Sequence, residues 1–161
     1  MKTAILSSFI AGGSGQRVKR MSQMHTMAVH YDASWNNMKH LAYGCNCNMM
    51  IGDRPMSQSG HGQAIDELDA TCKAYKDCQQ CVIAHHGDEC VGEFVSYDFS
   101  IPADDAICND TPGTCKRALC ECDRQFTKAH AEKSDVYNQD FNHIFAMFDY
   151  EGICRKYNHT V

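Results

Sequence analysis

The residues able to do chemistry are concentrated in a few short segments. Cys72-Lys73-Ala74-Tyr75-Lys76-Asp77-Cys78 sets a phenol, an ammonium and a carboxylate between two cysteines. Cys81-Val82-Ile83-Ala84-His85-His86-Gly87-Asp88-Glu89-Cys90 brings together the ligand types of a metal site: thiol, imidazole and carboxylate. With Cys90 bridged elsewhere, Cys81, His85 or His86, and Asp88 remain for zinc or copper. Exposed histidines at the end of a helix are the plainer reading, so no metal site is expected there. The spacings Cys45-x-Cys47, Cys120-x-Cys122 and Cys108-x6-Cys115 are not those of a zinc ribbon or finger. Eleven cysteines in 161 residues are better explained by pairing in an oxidising compartment. Eleven is odd, so at least one thiol has no partner within the chain.

These segments need helices to carry them. Ile65, Leu68, Cys72, Tyr75, Cys78 and Val82 recur every three or four residues, which predicts a helix over about 66–83. Asp66 and Glu67 sit in its first turn, where the helix dipole favours negative charge, and Gly87 follows its end. A second long helix is predicted over about 114–131, with Cys115, Leu119, Cys122 and Phe126 on one side. A first helix is predicted within 21–40, with Met21, Met24, Met27 and Trp35 as its apolar positions. Residues 44–64 carry Gly44, Gly52, Pro55, Gly60 and Gly62 and read as loop. Residues 91–101 alternate enough for a short two-stranded ribbon. The tail from Ser134 is aromatic but has little periodicity. Two long helices facing each other through cysteines form the expected core of a mainly α, disulfide-rich fold.

Composition limits the function. A net charge of −5 disfavours nucleic acid as the main partner. No run of 18 apolar residues exists, so no transmembrane segment is expected. Three prolines and a 22% charged fraction argue against disorder. Lys2 precedes the apolar stretch Ala4–Ala11, and Gly12-Gly13-Ser14-Gly15 follow, which reads as a short secretory signal. Arg17-Val18-Lys19-Arg20 has the form of a dibasic processing site, which divides the chain into a leader, 1–20, and a domain, 21–161. Cleavage after Arg20 removes four basic and no acidic residues and takes the charge from −5 to −9. The glycosylation sequons at Asn109 and Asn158 fit the same secreted, extracellular location.

Three blocks in order, Tyr43-Gly44-Cys45-Asn46-Cys47, Asp66–Cys78 and Cys115–Arg124, resemble the secreted phospholipase A2 family over about residues 25–155. The resemblance implies the phospholipase A2-like fold: two long antiparallel helices cross-linked by disulfides, an N-terminal helix and a small two-stranded β-ribbon. It also implies the pairs Cys45–Cys154, Cys47–Cys72, Cys78–Cys122, Cys90–Cys115 and Cys108–Cys120, leaving Cys81 as the odd thiol. One family bridge is missing at both ends, where Thr71 and Ala129 stand. Cys81 is then either a buried thiol or half of an interchain bridge that makes a disulfide-linked dimer.

In this family a helix histidine activates a water, an aspartate orients it, and a neighbouring aspartate holds calcium with carbonyls of a glycine loop. The resemblance puts Tyr75 at the histidine position and Lys76 at the calcium aspartate. Asp123 keeps the orienting position, and Tyr97 matches a tyrosine that supports it. A phenol with a pKa of about 10 is a poor base near neutrality. An ammonium repels a dication: two unit charges ~4 Å apart cost roughly 4 kcal/mol at an effective dielectric of 20. The early loop glycines are replaced around Asn48, Met49 and Met50, and roughly nine extra residues precede Asp66. Gly60 and Gly62 match late loop glycines. Tyr75 is expected to bond Asp123, and Lys76 to pair with Asp123 or a loop carboxylate, or to form an anion-binding pocket.

No catalytic residue, metal or cofactor is therefore expected, the family calcium included. The chain reads as a secreted homologue that binds rather than hydrolyses, with a phospholipid, an extracellular protein or a matrix as partner. The methionine stripe and Trp35 are either core or a lipid-facing surface. Two alternatives stand beside this: an active lipid hydrolase with a noncanonical site, and a toxin-like subunit linked through Cys81.

Overall fold

The computed structural model describes residues 13–49 and 55–155, with the backbone alone for 13–21. Helix α1 (Gly13–Tyr31) leads to a single turn, α2 (Asn37–His40). The strands β1 (Ala42–Tyr43) and β2 (Cys47–Asn48) pair antiparallel around the Gly44 turn. A 3-10 turn at Met56–Gln58 precedes α3 (Glu67–His86). A second antiparallel pair, β3 (Phe99–Ser100) and β4 (Ile107–Cys108), precedes α4 (Cys115–Ala131). Two further 3-10 turns and α5 (Tyr150–Cys154) complete the described chain.

Local chemistry sets the ends of the two long helices. The Asp66 carboxylate accepts from the Asp69 amide at 2.8 Å, which satisfies one orphan donor at the start of α3. Gly87, at φ +96°, ends that helix. Thr114 caps α4 by accepting from the Arg117 amide. The helices run antiparallel and face each other through Cys78–Cys122, Tyr75–Phe126 and Thr71–His130. Helix α1 packs across α4. Met24, Met27, Leu41, Leu68 and Leu119 are fully buried.

Five disulfides join Cys45–Cys154, Cys47–Cys72, Cys78–Cys122, Cys90–Cys115 and Cys108–Cys120. Each is a pair that the family resemblance implies. The fold is the disulfide-rich phospholipase A2-like one.

Two sequence expectations are corrected. The ribbon does not lie within 91–101: only Phe99–Ser100 is strand, and its partner is Ile107–Cys108. Backbone pairing across a loop leaves no trace in the alternation of one segment. The first helix is offset from 21–40, because it ends at Tyr31 and Asn36 caps a separate turn. Of the two readings open for the methionine stripe and Trp35, Met24, Met27 and Trp35 take the core one. The leader expected over 1–20 lies largely outside the described residues, as do Met50 and Asn158.

Candidate functional site

The loop between β1 and α3 is organised by a carboxylate that sequence reasoning did not single out. Asp69 is fully buried and accepts from the amides of Cys45, Asn46, Cys47 and Ile65, and from the Asn46 side chain. Burial pushes its carboxyl up, against the pull of those N–H donors. Gly44 is required where the loop crosses it: at φ +59°, a Cβ there would lie 2.6 Å from the Asp69 carboxyl carbon. Gly60, at φ +73°, brings the end of the loop onto Cys45, whose carbonyl a Cβ would meet at 2.6 Å. The only sequence sign of Asp69 is its place one turn inside a capped helix that follows the loop.

Tyr75 projects from the middle of α3 toward α4. Its hydroxyl donates to one oxygen of Asp123 at 2.6 Å, and the Tyr97 hydroxyl donates to the other at 2.6 Å. Tyr75 and Tyr97 are buried, and Asp123 is wholly so. Phe126, one turn along α4, stacks on the Tyr75 ring with centroids 4.6 Å apart. Two phenols thus hold one buried carboxylate. Each supplies a proton, and neither has the two ring nitrogens with which an imidazole passes one on.

Among the described residues Lys76 reaches neither Asp123 nor a loop carboxylate, which departs from the sequence expectation. Its ammonium donates to the Asn46 side-chain oxygen at 3.2 Å and to the Gly60 carbonyl at 3.4 Å. Lys76 leaves α3 about 100° around the helix from Tyr75, on the side where the loop held by Asp69 presents its oxygens. Burial lowers the Lys76 pKa, with Lys73 acting the same way and Asp77 and Asp69 opposing.

The remaining predicted residues lie apart. Cys81 is exposed, so it is not a buried thiol. His85 and Asp88 are exposed beyond it. Among the described residues, Cys47, Cys72 and His130 are the one group of ligand atoms close enough for an ion. Cys47 and Cys72 are bonded to each other, so no thiolate is available there. Asn109 is exposed next to β4. Thr71, at one end of the missing bridge, instead meets His130 at 2.6 Å; His130 meets His40 at 3.1 Å. Trp35 stacks on His40, with centroids 4.6 Å apart. Nothing in the sequence marks this buried pair, since two lone histidines ninety residues apart carry no spacing signal.

The family model described as phospholipase A2 matches residues 21–142. The chain belongs to the phospholipase A2 family. It is 25% identical over 140 residues to a group IID secretory phospholipase A2 of Mus musculus, covering 86% of this chain and 88% of that one. It is 28% identical over 105 residues to the basic phospholipase A2 β-bungarotoxin A-AL4 chain of Bungarus multicinctus, covering 65% and 67%.

Calcium, which the phospholipase A2 family implies, does not fit the described residues of the loop. The Gly60 carbonyl and Asn46 already face a built-in cation, the Lys76 ammonium. The side chain at that position brings a positive charge in place of a ligand oxygen.

Proposed function

We propose that this phospholipase A2-family member is a secreted binding protein without calcium-dependent ester hydrolysis. The observation that carries the reading is the pair of side chains at the centre: the Tyr75 phenol on Asp123 and the Lys76 ammonium on the loop. Hydrolysis needs a base that accepts a proton from water near neutral pH and an electrophile that stabilises the oxyanion. A phenol already donating to a carboxylate is the wrong partner for the first task. The Lys76 ammonium gives two of its three N–H donors to loop oxygens rather than to the second task.

Five disulfides and the secretory relative support an extracellular location. The binding surface we favour is apolar: Ile144, Phe145 and Met147 are 42%, 48% and 102% exposed on one loop of the tail. Asn142 fixes that loop by accepting from the Ile144 and Phe145 amides and donating to the Met38 carbonyl. A patch of this kind, on a protein of net charge −5, suits a zwitterionic phospholipid surface or an apolar protein face better than an anionic membrane. Calcium calorimetry and vesicle sedimentation test the reading together. The expected result is no stoichiometric calcium site, with calcium-independent sedimentation on phosphatidylcholine vesicles that Met147→Ser weakens. A one-to-one calcium site, or sedimentation only with calcium, contradicts it.

A further inference from the structure

The arm from Ser22 to His40 is held to the rest of the fold without a cross-link. All five disulfides lie between Cys45 and Cys154, so α1 and α2 sit outside every covalent loop. Met24, Met27, Ala28 and Tyr31 share one face of α1, which packs on α4. A ring stack closes the junction: Trp35 lies on His40 and edge-on to His130, the latter with centroids 5.3 Å apart. His40 belongs to the arm and His130 to α4, and their facing nitrogens, Nδ1 and Nε2, are 3.1 Å apart. That contact needs one bare lone pair. A proton on His130 Nε2 sets two N–H groups against each other. A proton on His40 Nε2 is buried with no partner among the described residues. The groups around the pair do not offset the charge. Lys39 opposes it, Thr71 and Tyr137 are neutral, the Cys47–Cys72 disulfide is neutral, and Asp32 alone favours it.

We propose that acid undocks this arm and that the freed arm binds an anionic phospholipid surface. Burial holds His40 at about 4 and His130 at about 3, below the ordinary 6.5, so docking is complete above pH 6.5 and weakens as pH falls toward 4. The same protons change the charge of the arm. At neutral pH it sets Lys39 against Asp32. Freed at pH 4.5 it sets His25, His30, Lys39 and His40 against Asp32, because an imidazole in water is charged there. A cationic helix with an apolar face lies naturally in an anionic membrane surface. The Tyr31 hydroxyl, with Lys128, holds Asp105 at about 2, so this second anchor of the arm is unchanged at pH 4.5 and acid acts through the histidine pair. The cross-links hold the frame from Cys45 onward. Release of the arm depends neither on ester hydrolysis nor on the tail loop of Met147.

The chain has one tryptophan, and it lies at the junction. The test mixes the whole protein with phosphatidylglycerol or phosphatidylcholine vesicles at pH 7 and pH 4.5. Sedimentation and the quenching of Trp35 by brominated acyl chains are followed, and hydrogen exchange at pH 4.5 without vesicles reads the arm and the frame separately. Binding to phosphatidylglycerol should rise at least roughly tenfold from pH 7 to pH 4.5, and binding to phosphatidylcholine should rise less. Trp35 should be quenched in the bound state, and exchange should quicken over 24–40 while α3 and α4 stay protected. The double variant His40→Phe, His130→Leu should lose the acid-induced binding, and Met147→Ser should keep it. Should the double variant not fold, His25→Gln with His30→Gln removes two cations of the arm and should weaken binding to phosphatidylglycerol at pH 4.5. An equal rise on the two lipids, no rise at all, an unquenched Trp35, binding undiminished in a folded double variant or lost in Met147→Ser, or exchange of α3 and α4 that quickens together with the arm overturns the proposal.

Discussion

The buried imidazole pair makes stability steeply dependent on pH. The Thr71 hydroxyl donates to the Leu68 carbonyl, so it accepts from Nδ1–H of His130. His130 then offers Nε2 as acceptor to Nδ1–H of His40. The His40 Nε2 lone pair has no partner among the described residues, and a proton added there would have none either. Burial holds His40 down at about 4, helped by Lys39 and opposed by Asp32. Burial, with His40 adding to it, holds His130 at about 3. Both values lie below the ordinary 6.5, so the unfolded chain takes up protons first as pH falls. Stability is complete above pH 6.5 and is lost as the pH drops toward 4 and then 3. Each imidazole should cost about 2 kcal/mol at pH 5 and about 3 kcal/mol at pH 4. Urea unfolding of the wild-type chain between pH 7 and 5 should show that loss. The double variant His40→Phe, His130→Leu should flatten it, whatever its stability at pH 7. Equal pH slopes for the two proteins over that window would refute the neutral buried pair.

Other perturbations have defined outcomes. Tyr75→Phe removes one donor from the buried Asp123 carboxylate and should destabilise the fold by about 1–3 kcal/mol in urea melts. Gly60→Ala forces an unfavourable φ and a contact with the Cys45 carbonyl, so its thermal midpoint should fall, by the equivalent of about 1–3 kcal/mol. Thr71→Cys with Ala129→Cys should form a sixth bridge, visible in peptide maps, and add about 2–4 kcal/mol; an unbridged double variant would show that the two positions do not face each other closely enough.

The long helices were legible because their signals are local. Asp66 and Thr114 cap, Gly87 stops, and the apolar ridge of α3 repeats every three or four residues. The pairing of ten cysteines came from family resemblance rather than spacing. Tyr75 and Tyr97 on Asp123 followed from the same resemblance. What depended on loop geometry was not legible. Lys76 chose Asn46 and Gly60 over a carboxylate because Asp69 folds the loop toward it, and nothing in the sequence marks that carboxylate as a receiver of four backbone amides. The strand pair at 99–108 and the His40–His130 contact likewise join segments that carry no mutual signal.

Fatty-acid release is the decisive measurement. Phosphatidylcholine and phosphatidylglycerol vesicles, incubated with the purified chain and millimolar calcium, should release no fatty acid above the protein-free blank. Calcium-dependent release that persists through purification and disappears in Tyr75→Phe or Lys76→Ala would mean that the phenol and the ammonium work as a catalytic centre, and the account would be wrong.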